Sequence, residues 1–102
     1  MKFENSQDYT LANGTSLQGY ILTTYDNLVK IFGEPWHGPD SNLDDKVTCE
    51  WAILFDDGTV ATIYDYKIGF TPRDEYEWHV GGMNKNSLEL IENVLAEEST
   101  YG

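Results

Sequence analysis

Histidine and cysteine carry much of enzyme chemistry, and this chain holds only His37, His79 and a single thiol, Cys49. The three are the right types for zinc, but no CxxC or HExxH spacing places any two of them on one local element. Two unrelated histidines and a buried strand cysteine account for them better. A Cys–His nucleophile pair has no motif or helix N-terminus at Cys49 to support it. The stretch "DSNLDD", from Asp40, opens like a calcium loop, then departs from one: the sixth position needs Gly and is Asp45, and the twelfth needs Glu and is Trp51. Gly81-Gly82 leads into no phosphate-loop pattern. An enzyme would need His37 or His79 beside a carboxylate or Cys49 in a cleft. The chain reads instead as a non-enzyme without metal or cofactor.

Charge is the outlying property. Eighteen Asp+Glu against six Lys+Arg give a formal net charge of −12 and a pI near 4.2. Such a field repels nucleic acid and anionic membrane, and it attracts basic protein surfaces. The acids are also segregated. Asp40, Asp44, Asp45, Glu50, Asp56 and Asp57 have only Lys46 among them, and Glu89, Glu92, Glu97 and Glu98 have no neighbouring base. A merely solubilising surface would mix the two signs, so segregation sets a surface that mimics a polyanion or engages a basic partner level with a solubilising one.

The elements that must position these groups follow from periodicity. A chain of 102 residues forms one domain, with an ordered core expected over residues 9–96 and frayed polar ends at Met1–Ser6 and Glu97–Gly102. One cysteine excludes an internal disulfide and fits a reducing cytosol. No apolar run is long enough for a membrane span, and "MKFENSQDYT" has no signal-peptide core. "TSLQGYIL" reads as a strand, and "DYTL" is placed to pair with it across the Asn13-Gly14 turn. "TTYDNLVKIFGEP" is a helix capped by Thr23 or Thr24, with Tyr25, Leu28, Val29 and Phe32 on one stripe and Gly33 and Pro35 ending it. "YEWHV" is a further strand. "NKNSLELIENVLAEE" is a second helix with Leu88, Ile91, Val94 and Leu95 inward. The order β-α-β-β-β-α predicts an α+β fold, an antiparallel sheet of about four strands with two helices on one face.

Between the helices lies "CEWAILFDDGTVATIYDYK", a β-hairpin. A two-residue Asp57-Gly58 turn opposes Trp51 to Tyr64 and Phe55 to Val60; a three-residue turn with a bulge shifts this by one and mixes the faces. The two-residue turn is preferred. It puts the small set, Leu54, Ala61, Ala52 and Ile63, against the helices, and leaves Trp51, Phe55, Tyr64 and Tyr66 on the far face with Trp78 or Tyr76. Trp51, Tyr64 and Trp78 are expected there as one aromatic cluster. It is covered by the chain itself, buried in a homodimer, or open as a binding site.

Three segments, "LQGYILTTYDNLVKIFGEP", "CEWAILFDDGTVATIYDYK" and "EWHVGG" before a last helix, in this order resemble a family of small, uncharacterised bacteriophage proteins over most of residues 15–95. The resemblance brings no catalytic residues. It implies a phage product acting in the cytoplasm of an infected bacterium. The helix-Gly-x-Pro-hairpin portion is also similar to the fold of β-lactamase-inhibitor proteins and outer-membrane assembly lipoproteins, which implies a helix packed on the hairpin. The expected function is binding and inhibition or modulation of a host protein with a basic surface, such as an antiviral-defence or nucleic-acid-processing factor. The expected contacts are Trp36, His37, Asp40, Asp44, Asp45, Trp51, Asp56, Asp57, Tyr64 and Trp78. The alternative is sequestration of a nucleotide-like small molecule, stacked on the aromatic face with Lys46, Lys67 or Arg73 lining the site.

Overall fold

The computed structural model describes residues 2–6, 14–36, 49–66 and 74–99. Two strands come first, β1 (Phe3–Ser6) and β2 (Ser16–Thr23), followed by helix α1 (Tyr25–Phe32). Strands β3 (Glu50–Phe55), β4 (Val60–Tyr64) and β5 (Tyr76–Gly82) follow, then helix α2 (Lys85–Ser99). All pairings are antiparallel, in the order β1-β3-β4-β5-β2. The class is the predicted α+β, with a fifth strand. Phe3–Ser6, expected to fray, is that strand: Phe3 packs on Phe32 and Phe55, and the Asp56 N–H donates to the Lys2 carbonyl. The "DYTL" segment lies outside the described residues.

Helix α1 forms where its caps dictate. The Thr24 hydroxyl accepts the Asn27 N–H at 3.1 Å, and Gly33 ends the helix at φ +88° with its N–H on the Val29 carbonyl. Tyr25, Leu28 and Phe32 turn inward.

The hairpin register differs from the preferred one. The Phe55 N–H donates to the Thr59 carbonyl and the Gly58 N–H to the Phe55 carbonyl, both at 2.9 Å. The loop is therefore three residues, Asp56-Asp57-Gly58, with Gly58 at φ +88° in the bulge position that L-residues avoid. The Asp57 carboxylate accepts the Thr59 N–H and so favours this geometry. Trp51 consequently opposes Ile63, and Tyr64 opposes Glu50. One residue of slip moves the whole of β4 to its other face relative to β3.

The core lies between the sheet and the helices. Trp51, Ile53, Phe55, Ala61, Ile63, Trp78 and Val80 face α1 and α2, with Leu28, Phe32, Ile91 and Val94 opposite. Helix α2 comes close because β2 and β5 present glycine to it. A Cβ on Gly82 would overlap the Ser87 side chain, whose hydroxyl donates to the Val60 carbonyl at 2.6 Å. Trp51 and Trp78 thus stand on the helix side, fully buried, and not on the far face as expected. They meet edge to face at 5.6 Å. Their indole N–H groups donate to the Gly33 carbonyl (2.7 Å) and the Thr23 carbonyl (3.1 Å), which flank α1 at its two ends.

Replacing Trp51 by Phe removes one of these donors and leaves volume unfilled. Urea denaturation is expected to show a loss of about 2 kcal/mol or more. Trp36→Phe, at a half-buried ring, should cost under about 1 kcal/mol. Equal, small effects from both would contradict the role given to Trp51.

Candidate functional site

The far face is built by strand parity. β2, β5 and β4 place Tyr20 beside His79 and His79 beside Tyr64, and the row runs on to Glu50 of β3. The ring centroids are 5.0 Å apart for Tyr20–His79 and 5.2 Å for Tyr64–His79, the second pair nearly parallel at 26°. Tyr66 closes on His79 at 5.7 Å. Tyr76 ties this group to the core: its ring packs edge to face on Trp78, and its hydroxyl accepts the Tyr66 N–H. Trp36 reaches the Glu50 end, donating its indole N–H to Oε2 at 3.1 Å.

Exposure divides this face. Ala52 and Thr62, in its middle on β3 and β4, are buried. Toward β2 it is open: Leu22 is 64% exposed, Tyr20 50% and Leu17 46%, and Tyr66 is also exposed. A monomer rarely leaves so many large apolar side chains together in water without a use for them.

Burial favours the neutral forms of Tyr64, Tyr76 and His79. Burial pushes the Tyr64 phenol up, with Glu50, Tyr20 and Tyr66 adding to the effect, and burial does the same to Tyr76. Burial holds His79 below its ordinary value, against the opposing pull of the Asp65 carboxylate and the Tyr64 backbone carbonyl. Its Nδ1 is buried with no hydrogen-bond partner among the described residues. No Lys or Arg stands in any of the five strands. Exposed Glu77 shares this face with His79, two residues away on β5.

The expected contact residues are thus dispersed. Trp36 and Tyr64 both neighbour Glu50, the first by its hydrogen bond and the second by strand pairing. Trp51 and Trp78 are core. Asp56 and Asp57 are exposed at the hairpin tip, the opposite end of β3 and β4, where Asp57 shares a shallow groove with Glu89 on α2. The Asp57 carboxyl is held below its usual range, chiefly by its hydrogen bonds to Thr59. His37, Asp40, Asp44, Asp45, Lys46, Lys67 and Arg73 lie outside the described residues. Sequence reasoning missed Tyr20, Leu22 and His79 as neighbours. Tyr20 and Leu22 do alternate on β2, but the bulge between Leu17 and Gly19 breaks the pattern that would have revealed the face.

Among the described residues no three His, Cys, Asp or Glu side chains converge as metal ligands. An apolar groove beside α2, about 330 Å³ between Phe55, Leu90 and Val94, holds Glu97 and, among the described residues, no cationic side chain. Comparison with protein families, with curated proteins and with solved structures finds no match to this chain.

The depressed His79 pKa has a signed consequence. The unfolded state takes up the proton first, so stability falls as pH drops through 6.5 and levels off once the folded ring is also protonated. An NMR titration, with His37→Gln to assign the signals, should give His79 a midpoint below 6.5. In His79→Phe this part of the acid loss should vanish. A midpoint at or above the ordinary value would contradict the burial argument.

Proposed function

We propose that this protein is a small, acidic, phage-encoded accessory factor that binds a basic surface of a bacterial host protein and inhibits or modulates it, acting in the cytoplasm of the infected cell. One observation carries the reading: an exposed face of Leu17, Tyr20, Leu22 and Tyr66 lies on a sheet whose strands contain no Lys or Arg, in a chain of net charge −12. Apolar and aromatic area supplies contact, and the carboxylates select and steer a cationic partner. A second copy would bring the same negative charge to the face, so charge disfavours the homodimer. The exposed acids Asp56, Asp57 and Glu89 add a second negative patch at the hairpin tip.

The nucleotide-like ligand is the weaker reading. Rings can stack a base, but the strands offer no cation to neutralise a phosphate. No helix among the described residues is long and apolar enough to cross a membrane.

Affinity capture from a bacterial lysate, followed by binding measurements on the captured protein, tests the proposal. The partner should present a basic surface, and its affinity should weaken at least about tenfold between low and moderate salt. Tyr20→Ala with Tyr66→Ala should abolish binding while lowering the melting temperature only slightly, because both rings are largely exposed and contribute to the fold chiefly through their contacts with His79. Salt-independent binding, or binding indifferent to both tyrosines, would sink it.

A further inference from the structure

We infer that the Tyr20–His79–Tyr64 row is an arginine-binding site, taking guanidinium groups of a basic partner in preference to lysine ammonium groups. The inference rests on the basic-partner reading and names the chemistry of its contact. Three rings follow one another across three strands, spaced 5.0 and 5.2 Å, with Tyr66 flanking the central one. Tyr20 stands at 66° to His79 and Tyr64 lies within 26° of it, so the ring surface left open to a guest is chiefly that of the exposed Tyr20 and Tyr66. A flat, delocalised, weakly hydrated cation stacks on such a surface; a compact, strongly hydrated ammonium gains less from it.

The margins fit the same group. Glu77, exposed on β5 two residues from His79, offers a carboxylate to the edge of a stacked guanidinium, where two parallel N–H donors can meet two oxygens. Glu50 adds negative potential at the other end of the row, next to Tyr64. Exposed Leu22, opposite Glu77 on β2, can cover the aliphatic stem of an arginine. No strand residue supplies a competing cation. His79 is the one group on the row whose protonation would place a positive charge under the ligand. The charged and titratable groups facing it are Asp65, Glu77, Tyr20, Tyr64, Tyr66 and Tyr76. The neutral ring at pH 7 suits a cationic guest.

The test titrates the full chain with two fluorescent peptides of equal length and charge, one presenting arginine and the other lysine, at pH 7.5 and low salt. The arginine peptide should bind about tenfold more tightly. Tyr20→Leu, which keeps apolar bulk but removes the ring, should bring it down to the lysine level, and Tyr20→Phe should retain the preference. Glu77→Gln should weaken the arginine peptide more than the lysine peptide. Equal affinities with a steep salt dependence would overturn the arginine site and leave the basic-partner reading standing. Binding of neither peptide would overturn both. A preference that survives in Tyr20→Leu would overturn the placement on this row, as would sedimentation showing the face buried in a dimer of the chain.

Discussion

The fold turns on two buried indoles. Trp51 and Trp78 touch edge to face at the centre of the molecule, and each spends its one polar atom on a carbonyl at an end of α1. Burying an indole without a partner for its N–H is costly, so these two rings can sit inside only where the Gly33 and Thr23 carbonyls meet them. The arrangement therefore fixes the position of α1 over the sheet and decides which sheet face is interior. Asn5 adds to it from β1, donating from Nδ2 to the Phe32 carbonyl at 2.9 Å and to the Glu34 carbonyl at 2.6 Å. The carbonyls at the C-terminal end of α1 are thus held by two strands at once.

Magnitudes explain why the face inverts relative to simple pattern reading. Matching aromatic residues across strands is worth roughly 0.2–1 kcal/mol per pair. Losing a buried tryptophan costs about 3–5 kcal/mol. Burial of the indoles outweighs cross-strand matching: both go under the helices, and rings that tolerate water, Tyr20, Tyr64, Tyr66 and His79, are left outside. Gly81 lies on that outer face, where a Cβ would stand 2.5 Å from the Thr62 hydroxyl and 3.5 Å from the Tyr64 ring. A side chain there would press into the base of the row. The same constraint that makes the core also shapes the candidate site.

Much of this was legible from local chemistry. Thr24, Gly33 and the Tyr25–Leu28–Phe32 stripe define α1, and an Asp-Gly beside two β-rich runs defines a hairpin. What the residues did not decide was the turn. Asp56-Asp57-Gly58 supports a two-residue or a three-residue loop, and only the Phe55–Thr59 pairing and the Asp57 bond to the Thr59 N–H distinguish them. That single step misplaced Trp51 and Trp78 as surface contacts. Strand β1, four residues with a polar interior, has no periodicity to detect; it exists because Phe3 and Asn5 find tertiary partners. The row was hidden for a related reason, since it draws one ring from each of three strands and has no footprint in any one of them.

The central claim is that the indoles lie inside and the tyrosine–histidine row outside. Photochemically induced nuclear polarisation with a flavin dye reads this directly, because only rings that the dye can touch give enhanced signals. Tyr20 and Tyr66 should be strongly polarised in the native protein, while Trp51 and Trp78 stay silent. Polarised Trp51 or Trp78 signals beside a silent Tyr20 would contradict the account.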